Sequence, residues 1–205
     1  MPTTPSWALA ALAFAAACSG PVRAPPPPSG ELIVFGGGPG GPVDACFTCH
    51  GLNGEGEGAT PRIAGTEAGY LLKQLNDYAH AARADDVMAP IARRLTDGDR
   101  GAVASYYAGR LRRDRASTTT APNIYAHGSR ERGVRACASC HGAAGEGRGL
   151  AFPAIAGQPR AYTIEQLRRF KRSVRRNDPR DVMGRAARPL SEAEIEAIAI
   201  YLERL

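Results

Sequence analysis

The sequence predicts an all-α protein built from two tandem copies of one helical unit, and three observations carry that prediction. The stretch "CFTCHGLNGEGEG" beginning at Cys46 returns as "CASCHGAAGEGRG" beginning at Cys137, 91 residues later. The match then runs well beyond the cysteines: Ile33 pairs with Ile124, Pro61 with Pro153, "IAG" at 63–65 with "IAG" at 155–157, Tyr70 with Tyr162, Gln74-Leu75 with Gln166-Leu167, and Met88 with Met183. Finally, the apolar residues between these landmarks recur with helical spacing, and no stretch shows a convincing strand alternation. The offset drifts from 91 to 92 and, at Leu95-Thr96-Asp97 against Leu190-Ser191-Glu192, to 95, as short loop insertions in a duplicated unit would make it drift.

Residues 1–30 read as an address followed by a tether. The run "WALAALAFAAA" (7–17) has the length of an export-signal core and is too short to span a bilayer comfortably. It ends at Cys18, followed by Ser19, Gly20 and the proline-rich "PVRAPPPPSG", a pattern that resembles a bacterial lipoprotein signal, in which the cysteine is acylated and becomes the mature N-terminus. A conventional cleaved signal, with Cys18 incidental, is the other reading.

The first unit spans 31–109. "GGGPGGP" at 36–42 should keep its opening helix short, and a second helix is expected over 70–82. A closing helix starts at the cap pair Thr96 and Asp99, with Val103, Tyr106 and Tyr107 facing inward. Residues 110–123, "RLRRDRASTTTAPN", are polar and aperiodic and read as a linker. The second unit, 124–205, repeats the plan with a helix over 162–172. Its closing helix starts at the capping box Ser191 and Glu194, and Ile195, Ile198, Ala199 and Leu202 make one apolar face.

The net charge of +6 is unevenly placed, because residues 31–120 hold 10 basic and 11 acidic side chains and residues 121–205 hold 15 and 9. A basic second half fits a partner with an acidic surface, and the run "RRFKRSVRR" (168–176) is either a docking patch for it or a solvated helix face. Nucleic acid is disfavoured, since the basic residues are not interleaved with base-stacking aromatics and no nucleic-acid-binding motif is present.

What does each CxxCH do? A zinc site shared by the two cysteine pairs would need them roughly 15 to 20 residues apart, far less than their actual separation. A thioredoxin-like disulfide needs an alternating strand and helix context that is missing, and a structural disulfide leaves the repeated histidine unexplained. The remaining reading is c-type haem attachment: Cys46 and Cys49, and likewise Cys137 and Cys140, add to the two vinyl groups of one porphyrin, and His50 or His141 then reaches the iron. Apart from the initiator the chain has two methionines, Met88 and Met183, at equivalent places in polar, loop-like stretches, and they are the candidates for the other axial position. His80 and His127 read as surface residues.

Both CxxCH motifs, the "P-x-I-A-G" runs, the "Y-x3-QL" helices, "MAPIARRLTDGD" and "VMGRAARPLSEAEI" together resemble dihaem class I cytochromes c, and in particular the cytochrome c4 family, over essentially all of 31–205. That resemblance implies two class I cytochrome c domains packed about a pseudo-twofold axis. It implies single-electron transfer between membrane complexes, such as a quinol-oxidising complex, and a terminal oxidase. It also gives Pro61 and Pro153 the role of accepting the proximal imidazole proton on their carbonyls, in keeping with the general need to orient a ligating histidine. The expected protein is a periplasmic electron carrier with no substrate turnover of its own, free or tethered through Cys18. The alternative is the haem subunit of a separate dehydrogenase, of the flavocytochrome type. A dihaem peroxidase would need an open iron position and a thiosulfate-oxidising enzyme a cysteine ligand, and neither arrangement is in the sequence.

Overall fold

The computed structural model describes residues 29–112 and 119–205; the signal-like run, Cys18 and the middle of the 110–123 segment lie outside them. Among the described residues the elements are helices, with three isolated β-bridges and no strand. None of these helices is long and apolar enough to cross a membrane.

The first unit comprises α1 (Gly30–Gly36), α2 (Phe47–His50), α3 (Ala68–Ala79), α4 (Met88–Arg94) and α5 (Asp97–Ala108). The second repeats it as α6 (Asn123–Ala126), α7 (Ala138–His141), α8 (Arg160–Lys171), α9 (Val182–Ala187) and α10 (Glu192–Glu203). Helix α1 stops at Gly37, whose φ of 78° is left-handed, and two 3-10 turns follow through the glycine-rich run. Helices α3 and α8 end earlier than their apolar periodicity extends, because Ala81 (φ 61°) and Ser173 (φ 57°) turn the chain back. The methionine stretches are helical rather than loops. Asp85 Oδ1 accepts from the Val87 and Met88 amides, at 3.1 and 2.9 Å, and Asp178 Oδ2 accepts from Met183 at 2.7 Å, so a carboxylate caps each short helix.

Each unit has its own core. In the first, Ile33, Val34, Leu71, Val103 and Tyr107 close together; in the second, Tyr125, Ile195, Ile198 and Leu202 do so, and the two clusters share no residue. Tyr106, expected inward, is half-buried on the flank of α5, where the Arg110 guanidinium lies 3.9 Å from its ring centroid. Buried Arg100 ties the first unit together: it donates to the carbonyls of Ala92 (3.0 Å) and Leu95 (2.5 Å) and to Asn76 Oδ1 (2.7 Å), satisfying the end of α4 from α5. The equivalent position in α10 is Ile195, and Lys171 serves the Leu190 carbonyl instead.

Both capping boxes form as the sequence implies. Glu194 also receives a bidentate pair from Arg132, at 3.0 and 2.6 Å. These hydrogen bonds, the Arg132 pair first, hold its carboxyl pKa at about 2, below the ordinary carboxylate value of 4.5. A depressed folded-state value stabilises the fold above the unfolded value, and that contribution is lost as pH falls through the folded one. The second unit should therefore lose about 1 kcal/mol, limited by partial exposure, between pH 4.5 and about 2. Chemical denaturation across that range should show the loss, and Glu194→Gln should flatten it.

The units meet through polar contacts. The Gln158 carboxamide accepts from the Arg62 amide at 3.1 Å and donates to the Arg62 carbonyl at 2.7 Å, and the Tyr162 amide donates to the Gly58 carbonyl at 3.2 Å. Lys73 reaches the Asn177 carbonyl at 2.7 Å. The run 168–176 is not one exposed stripe. Arg168 pairs with Glu192, Arg169 turns to Asp85 and the Ala84 carbonyl, and Arg175 is buried at the boundary between the units; of the run's basic residues, Arg172 and Arg176 are the exposed ones.

Candidate haem-attachment sites

Each CxxCH is wound into one helical turn. Cys46 and Cys137 precede α2 and α7, and the Thr48 and Ser139 hydroxyls donate back to the Ala45 and Ala136 carbonyls, both at 2.7 Å. The turn must then end abruptly. Gly51 and Gly142 do this with φ of 84° and 88°, and a Cβ at either would strike the carboxylate of Glu55 or Glu146. Those carboxylates receive the Asn53 and Ala144 amides at 2.8 and 3.0 Å, which accounts for the repeated glycine and glutamate after each histidine.

The chain returning through Pro61 and Pro153 clamps the imidazoles. His50 Nδ1 donates to the Pro61 carbonyl at 2.9 Å, and His141 Nδ1 to the Pro153 carbonyl at 2.8 Å. Both histidines are 7% exposed. Burial pushes each imidazole below its ordinary pKa, against the opposing pull of the proline carbonyl, so each ring is neutral with Nε2 left for coordination. In the second unit the loop after His141 is pinned further, by Tyr125 to the Gly142 carbonyl (2.7 Å) and Tyr201 to the Ala143 carbonyl (2.9 Å). Nothing in the sequence signals these hydroxyl contacts beyond the presence of tyrosine on a helix.

Met88 opens α4, which packs on α3, and Met183 is the second residue of α9, which packs on α8; both side chains are half-buried. His80 and His127 are exposed, as expected.

The donor set fits haem c better than its rivals. Cys46, Cys49, Cys137 and Cys140 are all free thiols. Burial pushes Cys46 and Cys137 up to about 11, the opposite of the activated thiolate that redox or zinc chemistry uses. Among the described residues no group of three or more His, Cys, Asp or Glu side chains could hold a metal ion. What remains is two thiols on one turn beside a neutral, oriented imidazole, twice over.

Comparison with known proteins gives the same reading. A thiosulfate dehydrogenase electron acceptor from Stutzerimonas stutzeri (strain A1501) is 38% identical over 181 residues, 84% of each chain. Reduced recombinant cytochrome c4 from Pseudomonas stutzeri superposes with a TM-score of 0.71 at 31% identity, covering 80% of this chain and 94% of its own. Thiosulfate dehydrogenase (TsdBA) from Marichromatium purpuratum superposes with a TM-score of 0.76 at 34% identity over 85% of this chain, which spans only 39% of that longer one. The cytochrome c family model matches twice, over residues 43–108 and 126–205, once around each clamped histidine, and on that evidence the chain belongs to the cytochrome c family.

Proposed function

We propose that Cys46 with Cys49, and Cys137 with Cys140, each bind one haem c through thioethers, with His50 and Met88 as axial ligands in the first unit and His141 and Met183 in the second. The matched pair of CxxCH turns, each with its histidine clamped by a proline carbonyl, carries this reading. The protein is a dihaem electron carrier of the cytochrome c4 type. The haem supplies the one-electron chemistry, and the chain binds it, orients the ligands and limits water around them. Two complete axial pairs leave no position for a substrate, which supports a carrier without turnover of its own.

We infer that its electrons come from a separate dehydrogenase, of the thiosulfate-oxidising rather than the flavin kind. Two relatives named above, the electron acceptor at 38% identity and the longer thiosulfate dehydrogenase, support that donor. A terminal oxidase is the natural consumer, and the periplasm the natural location, with Cys18 as the tether. Exposed Arg172, Arg176, Arg180 and Arg185 give the second unit a basic face for an acidic partner. The test is rapid mixing of the oxidised dihaem protein with a thiosulfate dehydrogenase, thiosulfate supplied. Reduction at a rate that saturates with protein concentration and slows with salt is expected; reduction only by a quinol-oxidising complex would reject the donor.

A further inference from the structure

The glycine-rich run at 36–42 has no counterpart in the second unit, where the residues 91 further on, 127–133, read "HGSRERG". In the first unit it folds back through two 3-10 turns and closes on Asp44. A Cβ at Gly40 would strike the Asp44 carboxylate, so the missing side chain is what lets the run lie that close. The result is a buried aspartate, 8% exposed, two residues before Cys46.

The Asp44 carboxylate receives both arms of Arg94, Nε at 2.5 Å and Nη2 at 2.7 Å. Arg94 is the last residue of α4, and Met88 is the first. A bidentate guanidinium–carboxylate pair fixes orientation as well as distance. This one joins the chain entering the first attachment turn to the helix that carries the methionine. Seven residues are too few for a helix to hold its place by its own hydrogen bonds, so the position of α4 is set by what grips it. Asp85 fixes its start and Arg100 ties its end to α5, while the Asp44 pair relates it to the attachment turn.

Among the described residues the second unit has no matching link. At the offset of 91, position 44 becomes exposed Arg135, and at the offset of 95, position 94 becomes Pro189. Arg132 is used instead, and it grips Glu194 of α10 and, at 3.4 Å, the Pro189 carbonyl beyond the end of α9. Arg188, just past α9, bonds to Asp181 just before it, so that pair closes α9 on itself.

We propose that Asp44 and Arg94 are the positioning pair for Met88: they brace α4 against the attachment turn, hold the thioether at the first iron and keep added ligands away from it. This rests on the dihaem reading with Met88 as axial ligand, and the two fail differently. Fewer than two haems by intact mass would fail the dihaem reading itself. A Met88→Ala protein that keeps both thioether-to-iron charge-transfer contributions would overturn the ligand assignment, and the brace with it.

The experiment is imidazole binding to the fully oxidised dihaem protein, followed by stopped-flow absorbance, with the Met88 and Met183 methyl signals in NMR assigning each phase to its haem. Imidazole binds after the methionine leaves, so its rate reads how often the ligand helix opens. Asp44→Asn and Arg94→Gln should each speed the first-haem phase by roughly tenfold, the size expected for a charge-assisted pair partly open to water, and leave the second phase unchanged. Arg94→Lys keeps the charge but not the fork and should fall between. Arg132→Gln is the control: it breaks an ion pair of the second unit that does not grip α9, so it should lower stability to denaturant without speeding the second phase. An unchanged first phase in both Asp44→Asn and Arg94→Gln, or equal acceleration of both phases, would overturn the proposal. So would a second phase sped as much by Arg132→Gln, because any lost ion pair would then loosen a ligand. Should the variants fail to take up haem, the unmodified protein decides. Coupling is reciprocal, so displacing Met88 with imidazole should shift the Arg94 Nε–H signal and speed its hydrogen exchange. An Nε–H that stays protected while Met88 is displaced would overturn the brace.

Discussion

Cys46→Ala and Cys137→Ala are each expected to leave a protein carrying one covalent haem instead of two, read directly as intact mass. The expectation of locality comes from the separate construction of the two units. Each has its own apolar cluster, its own attachment turn and its own histidine clamp, and among the described residues no hydrogen bond of either turn crosses the boundary. Contacts that do cross, such as Arg62 with Gln158 on the chain returning from the clamps and Lys73 of α3 with Asn177, lie outside the attachment turns. A single substitution should therefore abolish or impair attachment in one unit and spare the other. Loss of both haems from either substitution would show that the units do not mature separately, and no covalent haem in the unmodified protein would remove the basis for the function.

How much of this could be read without coordinates depended on the distance over which each feature is determined. Repetition, helical period and the capping boxes are local, so the order of helices, the attachment turns and the Thr96 and Ser191 starts were all legible. The histidine clamp was legible only through family resemblance, because the proline carbonyls carry no side-chain signal. The helical setting of Met88 and Met183 was missed. Seven- and six-residue helices are too short for their period to stand out, and the aspartates that cap them read as loop residues. Arg83 and Arg175, both buried at the boundary between the units, were missed for a different reason. An arginine's burial depends on partners about 80 to 105 residues away, as the bonds from Arg83 to Tyr162 and from Arg175 to Tyr70 illustrate. Extending the 92-residue offset past the end of α3 would have paired them, whereas counting charges in 168–176 merged buried Arg175 with its exposed neighbours.

The proposed thioether–iron bonds of Met88 and Met183 should differ between the units, with Met183 released from the iron before Met88 as denaturant is added. On the first side, Asp85 accepts from two successive amides, those of Val87 and Met88, and Pro90 fixes a dihedral in the first turn of α4. On the second, Asp178 accepts from the Met183 amide, and Arg180 (φ 58°) and Asp181 (φ 55°) are consecutive non-glycine residues in the left-handed region just before it. Each such residue costs on the order of 1 kcal/mol, held in place by the surrounding contacts. Gly184 is buried and helical, and a Cβ there would meet Asp181 Oδ1 at 1.8 Å, in the space the carboxylate needs to reach Arg188. The lability therefore resides in Arg180 and Asp181 rather than in the glycine. Met88→Ala and Met183→Ala should each remove one thioether-to-iron charge-transfer contribution and lower the potential of that haem, because thioether ligation favours ferrous iron. In the unmodified protein, NMR of the two ligand methyl groups through a guanidinium titration should lose the Met183 signal first. Simultaneous loss, or earlier loss from Met88, would show that the strain at Arg180 and Asp181 is fully compensated by its contacts and does not reach the iron.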